Sequence, residues 1–170
     1  MPARSYFKSR HLRLSILAAA CLGAAGAAYA GDLDRDDAAD IEQIGRNDDG
    51  RAPTDKSVIR QSGNGNTASI EQQAILGSHV GSFAEISQHG SNNKAGIDQS
   101  GKNDAALIVQ YGDRNAATID QPGNNAASAV VQTGNNLGVQ IDQSGRGGGI
   151  GVTQFGNGAP GAPPITIRQY

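Results

Sequence analysis

The sequence predicts an all-β protein, a β-solenoid built from 22-residue strand-turn-strand coils. Three observations predict it: glutamine recurs every eleven residues, strand-type alternation precedes each glutamine, and glycine follows two positions later. The composition agrees with this fold class. The 170-residue chain holds 24 glycines, 4% aromatic residues and no tryptophan, so few large side chains are present to fill a globular core.

Residues 1–30 have the pattern of a secretory signal peptide. Four basic residues precede an apolar stretch at residues 14–28, which is short for a membrane span, and the small-x-small triplet Ala28-Tyr29-Ala30 follows. We expect cleavage after Ala30, which removes the single cysteine, Cys21. The alternatives are a retained anchor helix and a lipoprotein signal with lipid on that cysteine, although the usual large apolar residue is missing before it.

An acidic leader at residues 31–55 follows the signal. It holds nine acids against three arginines and carries the whole net charge of −6 of the mature chain. Such a composition is typical of a solubilising and largely disordered segment. A weak repeat within the leader, Ala39-x-Ile41-x-Gln43-x-Gly45, predicts a frayed first strand.

Residues 56–170 form the repeat array. Seven glutamines lie eleven residues apart without a slip, namely Gln88, Gln99, Gln110, Gln121, Gln132, Gln143 and Gln154. Looser spacing adds Gln61, Gln72 and Gln169. A β-branched residue stands two positions before the glutamine, at Ile70, Ile86, Ile97, Ile108, Ile119, Val130, Ile141 and Val152. The glycines two positions after it are Gly63, Gly90, Gly101, Gly112, Gly123, Gly134, Gly145 and Gly156.

The local pattern around each glutamine distinguishes strands from helices. Apolar residues fall at i and i+2, as in Ala95-x-Ile97-x-Gln99, which is strand alternation. Eleven-residue periods also occur in right-handed coiled coils, but a helix places its apolar residues at i, i+3 or i+4 and i+7. A glycine in every repeat would also destabilise a helix. Because glycine and asparagine tolerate positive φ, we predict that the glycines set turns between strands.

A second period of 22 residues is superimposed on the first. The residue between isoleucine and glutamine is acidic in alternate units, at Glu71, Asp98, Asp120 and Asp142, and the last three are 22 residues apart. One strand of each coil therefore exposes an acid and the other a neutral residue. Stacked like charges repel, so we hypothesise that Asp98, Asp120 and Asp142 restrain assembly until protonation or a cation relieves them. The alternative is an ordinary solvated face.

Stacking of the coils would bring identical side chains together. Strands in register lie about 4.8 Å apart, so isoleucine meets isoleucine and the glutamine amides can hydrogen-bond along the axis as a ladder. A thin core makes contacts between coils, and by extension between molecules, the main source of stability. Repeats run to the last residues with no sign of a capping helix. The glutamine and isoleucine series therefore predicts a self-assembly ladder and head-to-tail fibre growth.

The units at residues 61–72, 88–99 and 110–121 follow one pattern, Q-x-G-x-G-N-x-A-x-(I/L)-x-Q, with few departures. This pattern resembles the repeat of the curlins, the subunits of bacterial curli amyloid, over roughly residues 57–156 and the final strand. The resemblance implies a secreted structural subunit and not an enzyme. It also implies export through the outer-membrane curli secretion pore with its accessory proteins, and assembly with itself and other curlin-type subunits into extracellular fibres for adhesion and biofilm matrix.

The resemblance leaves the type of curlin open. The asparagine position holds Asp104, Ala126, Leu137 and Gly148 in four units, so an asparagine ladder would be incomplete. The acidic leader differs from the Gly/Asn-rich leader of the major curlin and favours the minor, nucleating type. The C-terminal Gln-Tyr pair favours the major type.

Other functions find less support in the sequence. No cofactor or metal is expected, because the mature chain lacks cysteine and no ligand pattern surrounds His79 or His89. The small negative net charge argues against nucleic-acid binding. Two alternatives stay open for a secreted solenoid. A β-helix that binds or cleaves polysaccharide would require clustered acids and bases, and an ice-binding solenoid would require Thr-x-Thr in register.

Overall fold

The structure is a computed structural model of the chain, and it describes residues 25–30, 38–44, 55–74 and 81–170. Most of the predicted signal peptide, with Cys21, and most of the acidic leader lie outside the described residues. Within the described ranges the regular secondary structure consists of β-strands joined by turns.

Thirteen strands are present in these ranges. They are β1 (Ala25–Ala30), β2 (Ala38–Ile44), β3 (Lys56–Ser62), β4 (Thr67–Ala74), β5 (Phe83–His89), β6 (Lys94–Lys102), β7 (Ala105–Tyr111), β8 (Ala116–Asn124), β9 (Ala127–Asn135), β10 (Gly138–Gln143), β11 (Gly145–Arg146), β12 (Gly149–Asn157) and β13 (Ile165–Gln169). Sheet A has the order β1-β4-β6-β8-β10-β13, with the short β11 beside β8. Sheet B has the order β2-β3-β5-β7-β9-β12.

Each coil contributes one strand to each sheet, and neighbouring coils pair in parallel. Most paired residues are 22 positions apart, as in Gln88 opposite Gln110 in sheet B and Ile97 opposite Ile119 in sheet A. The result is a β-solenoid of about four turns, which confirms the predicted all-β fold with 22-residue coils. The first coil is longer, because Gln61 pairs with Gln88 across 27 positions.

The two N-terminal strands pair in the opposite direction from the coils. Strand β2 contains the weak repeat of the leader and runs antiparallel to β3, so Ile41 lies opposite Ile59 and Gln43 opposite Ser57. Strand β1, which falls inside the predicted signal peptide, runs antiparallel to β4. These strands cover the edges of the first coil without continuing its parallel register.

The core is a thin layer between the two sheets. Its members are the inward-facing residues Ile59, Ala68, Ile70, Ala84, Ile86, Ala95, Ile97, Ala106, Ile108, Ala117, Ile119, Val130, Val139 and Ile141. Burial of an isoleucine side chain stabilises a fold by roughly 1.5–3 kcal/mol. Because each isoleucine packs on the isoleucine or valine of the next coil, this contribution depends on the neighbouring coil being in register.

The turns differ between the two ends of a coil. At turns from sheet B to sheet A the glycine has positive φ, as at Gly90 (φ 120°). Gly101 and Gly123 instead lie within β6 and β8, and the positive φ falls on Asn103 (57°) and Asn125 (60°). Gly101 and Gly123 themselves do not adopt positive φ. They permit close approach of coils, since a Cβ on Gly101 would lie 1.5 Å from the Gly123 carbonyl oxygen.

Candidate functional site

Two columns of glutamine side chains run along the solenoid axis inside the core. Sheet B contributes Gln61, Gln88, Gln110, Gln132 and Gln154, and sheet A contributes Gln72, Gln99, Gln121, Gln143 and Gln169. Each Nε2 donates to Oε1 of the glutamine in the next coil, at 2.7–2.8 Å in sheet B and 2.8–3.4 Å in sheet A. The same nitrogen also reaches across the core, as Gln110 does to the Lys94 carbonyl at 3.2 Å. Because the glutamine recurs in every coil, each buried side-chain amide finds a hydrogen-bond partner in the next coil.

The ladder of sheet B has a direction, and its two ends therefore differ. At the first coil, Gln61 Oε1 is buried and has no hydrogen-bond partner among the described residues. At the last coil, Gln154 Nε2 donates to the Gly138 carbonyl at 3.3 Å. Within the described chain it lacks the glutamine acceptor that every earlier member of the column has. The first coil therefore presents a buried acceptor without a donor, and the last coil presents an amide donor that no glutamine accepts. The last coil of one molecule is thus complementary to the first coil of another.

The remaining ladder and turn residues are distributed as follows. The predicted ladder isoleucines Ile70, Ile86, Ile97, Ile108, Ile119 and Ile141 lie in the core beside the glutamines. The glycines Gly63, Gly90, Gly112, Gly134, Gly145 and Gly156 have positive φ at the ends of strands. Glutamines and isoleucines thus occupy one interior, and the glycines close it at the turns.

An asparagine ladder stacks the turns that lead from sheet B to sheet A. The Asn93 backbone N–H donates to Asn66 Oδ1, and that of Asn115 donates to Asn93 Oδ1, both at 3.0 Å. Each Nδ2 donates to a glycine carbonyl of the next coil, as Asn66 does to Gly90 at 2.8 Å. Leu137 N–H donates to Asn115 Oδ1 at 3.0 Å and ends the ladder. On the other side of the solenoid the equivalent described positions hold Asp104, Ala126 and Gly148, so the asparagine ladder is confined to this side.

Asp104 occupies the asparagine position in a turn from sheet A to sheet B. Its Oδ1 accepts the Ala126 N–H at 3.0 Å, as the asparagine oxygens do, but Oδ2 is buried without a partner. In the asparagine turns the equivalent atom is the Nδ2 that donates to a glycine carbonyl. Here Oδ2 and the Gly123 carbonyl oxygen both lie near the position that a Cβ on Gly101 would occupy, Oδ2 at 2.7 Å and the carbonyl oxygen at 1.5 Å. Burial raises the pKa of Asp104, and the hydrogen bond from Ala126 opposes this shift.

Asp104→Asn should stabilise the folded chain near pH 7 by about 1–3 kcal/mol, because the amide removes a buried charge and supplies the missing donor to Gly123. The gain depends on pH, since the pKa of Asp104 is higher in the folded than in the unfolded chain. The loss of folding stability caused by the buried carboxylate is absent below the pKa of Asp104 in the unfolded chain. It grows as pH rises towards the pKa in the folded chain. Denaturation midpoints near pH 4 and near pH 7 measure the difference, which should shrink in acid.

Asp113→Asn is the matched control for that substitution. The Asp113 side chain is partly exposed, and its Oδ1 accepts a hydrogen bond from the Ser91 N–H at 2.8 Å. An asparagine oxygen can accept the same hydrogen bond. We expect this control to change stability little at either pH. An Asp104→Asn protein no more stable than the control near pH 7 would contradict the account of the buried carboxyl.

The predicted acids form one column on the outer face of sheet A. The strand register places Glu71, Asp98, Asp120 and Asp142 on successive coils, and Arg168 on the next. Partial loss of hydration, followed by the charges of Asp98 and Asp142, raises the pKa of Asp120. Arg168 Nε lies 3.8 Å from Asp142 Oδ2. This arginine was not predicted as part of the column, although it stands one position before Gln169 as each acid stands before its glutamine.

Two serines of sheet B reach across the core to the glutamine column of sheet A, and these hydrogen bonds were not predicted from the sequence. Ser128 Oγ accepts from Gln121 Nε2 at 3.0 Å and donates to Gln143 Oε1 at 2.7 Å. Ser57 Oγ donates to Gln72 Oε1 at 2.5 Å. Both stand four positions before a glutamine, where most other coils have alanine, so a polar residue at an inward position was the available signal.

The comparisons with known proteins agree with this geometry. The family model of the curlin-associated repeat matches residues 81–112, 103–134 and 112–145. Residues 81–145 of the chain are curlin-associated repeats. The matched curlin repeats span β5 to β10, where the glutamine columns and the 22-residue register are regular. Curlin repeats are those of structural amyloid subunits and not of an enzyme family. Searches of curated proteins and of solved structures found no match.

No group of three or more His, Cys, Asp or Glu side chains that could hold a metal ion occurs in the described part of the chain. None of the elements described there is a helix able to span a membrane.

Proposed function

We propose that the mature chain is a secreted curli-type subunit that polymerises head to tail into extracellular amyloid fibres for adhesion and biofilm matrix. The observation that carries the proposal is the directional glutamine ladder. Gln61 presents a buried acceptor without a partner at one end, and Gln154 presents a spare donor at the other. A second copy in the same register would satisfy both groups at once, which closure of a single molecule does not do.

Exposed apolar residues in the last coil support the same proposal. Ile165 is 51% exposed and Phe155 75% exposed, and Ile150 and Val152 are only partly buried, whereas Ile108 in the middle of the array is fully buried. Strands β12 and β13 lie at the edges of their sheets. A further coil placed on them would bury this surface, and apolar burial contributes about 25 cal/mol per Å².

The family and the predicted signal peptide support the route to the cell surface. We infer that the chain leaves through the outer-membrane curli secretion pore with its accessory proteins and then joins itself and other curlin-type subunits. Cleavage after Ala30 removes β1 and frees the edge of β4 for a neighbouring copy.

Seeded assembly of the mature chain tests the proposal. We expect fibres that bind thioflavin T, and a lag phase that disappears when preformed fibres are added. A mature chain that stays monomeric at high concentration in sedimentation experiments would overturn the proposal. Mixing it at low ratio with another curlin subunit assigns its role, because a nucleating subunit shortens the partner's lag and an extending subunit co-elongates with it.

The acidic column supports a second part of the proposal, restraint of assembly by Asp98, Asp120 and Asp142. Adjacent like charges on neighbouring strands are unfavourable, and stacking the coils in register brings these carboxylates onto neighbouring strands. The raised pKa of Asp120 is consistent with this repulsion. Since the charged forms repel, the restraint should weaken as pH falls through the raised pKa of Asp120.

Neutralising the acidic column should therefore accelerate nucleation. We expect D98N/D120N/D142N to shorten the lag several-fold near pH 7, and D98N/D120N, which keeps the Asp142–Arg168 pair, to give most of that effect. The control D36N/D37N/D48N removes the same net charge from the leader. Equal lag times for the wild-type and triple-variant proteins, or an equal effect of the leader control, would count against restraint by this column.

A further inference from the structure

We propose that Arg168 of one copy and Glu71 of the next form an ion pair across the joint between copies, and that this pair fixes the polarity and register of assembly. The inference rests on the proposed function, because it describes the joint of a head-to-tail fibre. It adds a specific contact that the stacking of glutamines and isoleucines alone does not specify.

The position of Arg168 in the acidic column is the first observation. Four acids occupy successive coils, and Arg168 alone among the column's described residues is positive. It is exposed and approaches Asp142 at 3.8 Å on one side. Its other side faces the edge of sheet A, where the described chain supplies no further strand. An acid placed there would leave the arginine between two carboxylates.

The register within the chain determines which residue arrives at that position. Coils stack with glutamine on glutamine, as Gln143 stacks with Gln169. Extending this rule to a second copy places β4 of that copy on β13, with its Gln72 on Gln169. Glu71 of the second copy then stacks on Arg168. Within the described column, acids oppose acids at the coil junctions from Glu71 to Asp142, and opposite signs meet only at the last junction, between Asp142 and Arg168.

The same placement satisfies the glutamine ladder of sheet B. Strand β3 of the second copy would lie on β12, so that Gln154 Nε2 donates to Gln61 Oε1, the buried acceptor that has no partner. Strand β2 pairs with this edge of β3 in the single chain and has to move aside. As an antiparallel strand it places Ala39 opposite Gln61, so the parallel ladder does not continue through it.

Other arrangements of two copies lose the Arg168–Glu71 pair and interrupt a glutamine ladder. A two-residue slip in β13–β4 pairing sets Arg168 opposite Ser69 and Gln169 opposite Ile70, which breaks the buried ladder. A tail-to-tail joint brings two Gln154 donors together and gives Arg168 no acid from the second copy. Charge complementarity and amide complementarity therefore select one arrangement of two copies.

Residues 71 and 168 are suited to a test because they are far apart within one molecule. They lie on β4 and β13, with β6, β8 and β10 between them. At about 4.8 Å per strand this separation is roughly 19 Å, beyond the Debye length of about 8 Å at physiological ionic strength. Energetic coupling between the two positions in fibre growth therefore reports a contact between copies.

The experiment is a double-mutant cycle on elongation from short preformed seeds of the mature chain. E71R and R168E each place like charges across the joint, and we expect each to slow elongation about fivefold. The double variant E71R/R168E restores an opposite pair and should return to within about threefold of the wild-type rate. K102E is the charge-matched control in the middle of the solenoid, and E71R/K102E should show only the product of its two single effects.

The outcomes separate this inference from the function on which it rests. Rescue in E71R/R168E without rescue in E71R/K102E supports the Arg168–Glu71 joint. If wild-type fibres grow normally but the effects of E71R and R168E on elongation simply multiply in the double variant, the Arg168–Glu71 contact is wrong. Head-to-tail assembly would stand. A wild-type chain that forms no fibres would overturn the proposed function, and the joint with it.

Discussion

Replacing Gly101 by alanine should abolish the regular solenoid at that coil. The added Cβ would lie 1.5 Å from the Gly123 carbonyl oxygen and 2.7 Å from Asp104 Oδ2. The carbonyl cannot withdraw without breaking the register in which Ser100 pairs with Pro122 and Lys102 with Asn124. Because backbone has to move, we expect a loss of about 4 kcal/mol or more in the free energy of unfolding. Denaturation of the folded chain and the yield of fibres would both report it.

Gly151→Ala provides the matched control. Gly151 lies in β12, its Cβ position has no atom within 4 Å, and its partner in the neighbouring coil is Ala129. Alanine in a strand restricts the unfolded chain more than glycine does, so we expect a neutral effect or a gain of about 0.5–1 kcal/mol. If Gly101→Ala were tolerated as well as Gly151→Ala, the close approach of coils at Gly101 would be wrong.

Gln110→Leu should cost about 3 kcal/mol, because it interrupts the middle of the sheet B ladder. Gln110 accepts from Gln88 and donates to Gln132, both at 2.8 Å, and it also donates to the Lys94 carbonyl. Leucine has a similar volume but leaves three polar partners with reduced hydrogen bonding in a buried layer, at roughly 1–3 kcal/mol for each group left unsatisfied. The free energy of unfolding measures this loss.

The control is Gln140→Leu, on the outer surface of β10. Gln140 is exposed and belongs to neither glutamine column. A substitution of this kind on the surface normally changes stability by less than about 0.5 kcal/mol. A Gln110→Leu protein as stable as the Gln140→Leu protein would show that the amide column does not hold the coils together.

The parallel stacking could be predicted from the sequence because one repeat controls it. Once Gln88, Gln110 and Gln132 recur with strand alternation before them, only a register with glutamine on glutamine keeps every isoleucine inside. The acidic column followed from the same reasoning, since Asp98 and Asp120 occupy equivalent positions in successive 22-residue coils.

The turns and the ends of the array could not be predicted in the same way. The eleven-residue spacing gives Gly90 and Gly101 the same place in the pattern, and both lie close to a glycine carbonyl of the next coil, but only Gly90 has positive φ. Asp104 looks like a surface acid until the turn of the next coil buries it. The weak repeat of β2 predicts a strand but not its antiparallel direction, in which Gln43 lies opposite Ser57 and does not continue the glutamine column.

The central claim is that copies of this chain stack on one another as its own coils do. A high-resolution reconstruction of fibres assembled from the mature chain tests it most directly. The account predicts strands spaced by about 4.8 Å without interruption across the boundary between molecules, with Gln61 of one copy stacked on Gln154 of its neighbour. Fibres whose glutamines face solvent, or a self-contained monomer whose end strands are both covered, would contradict it.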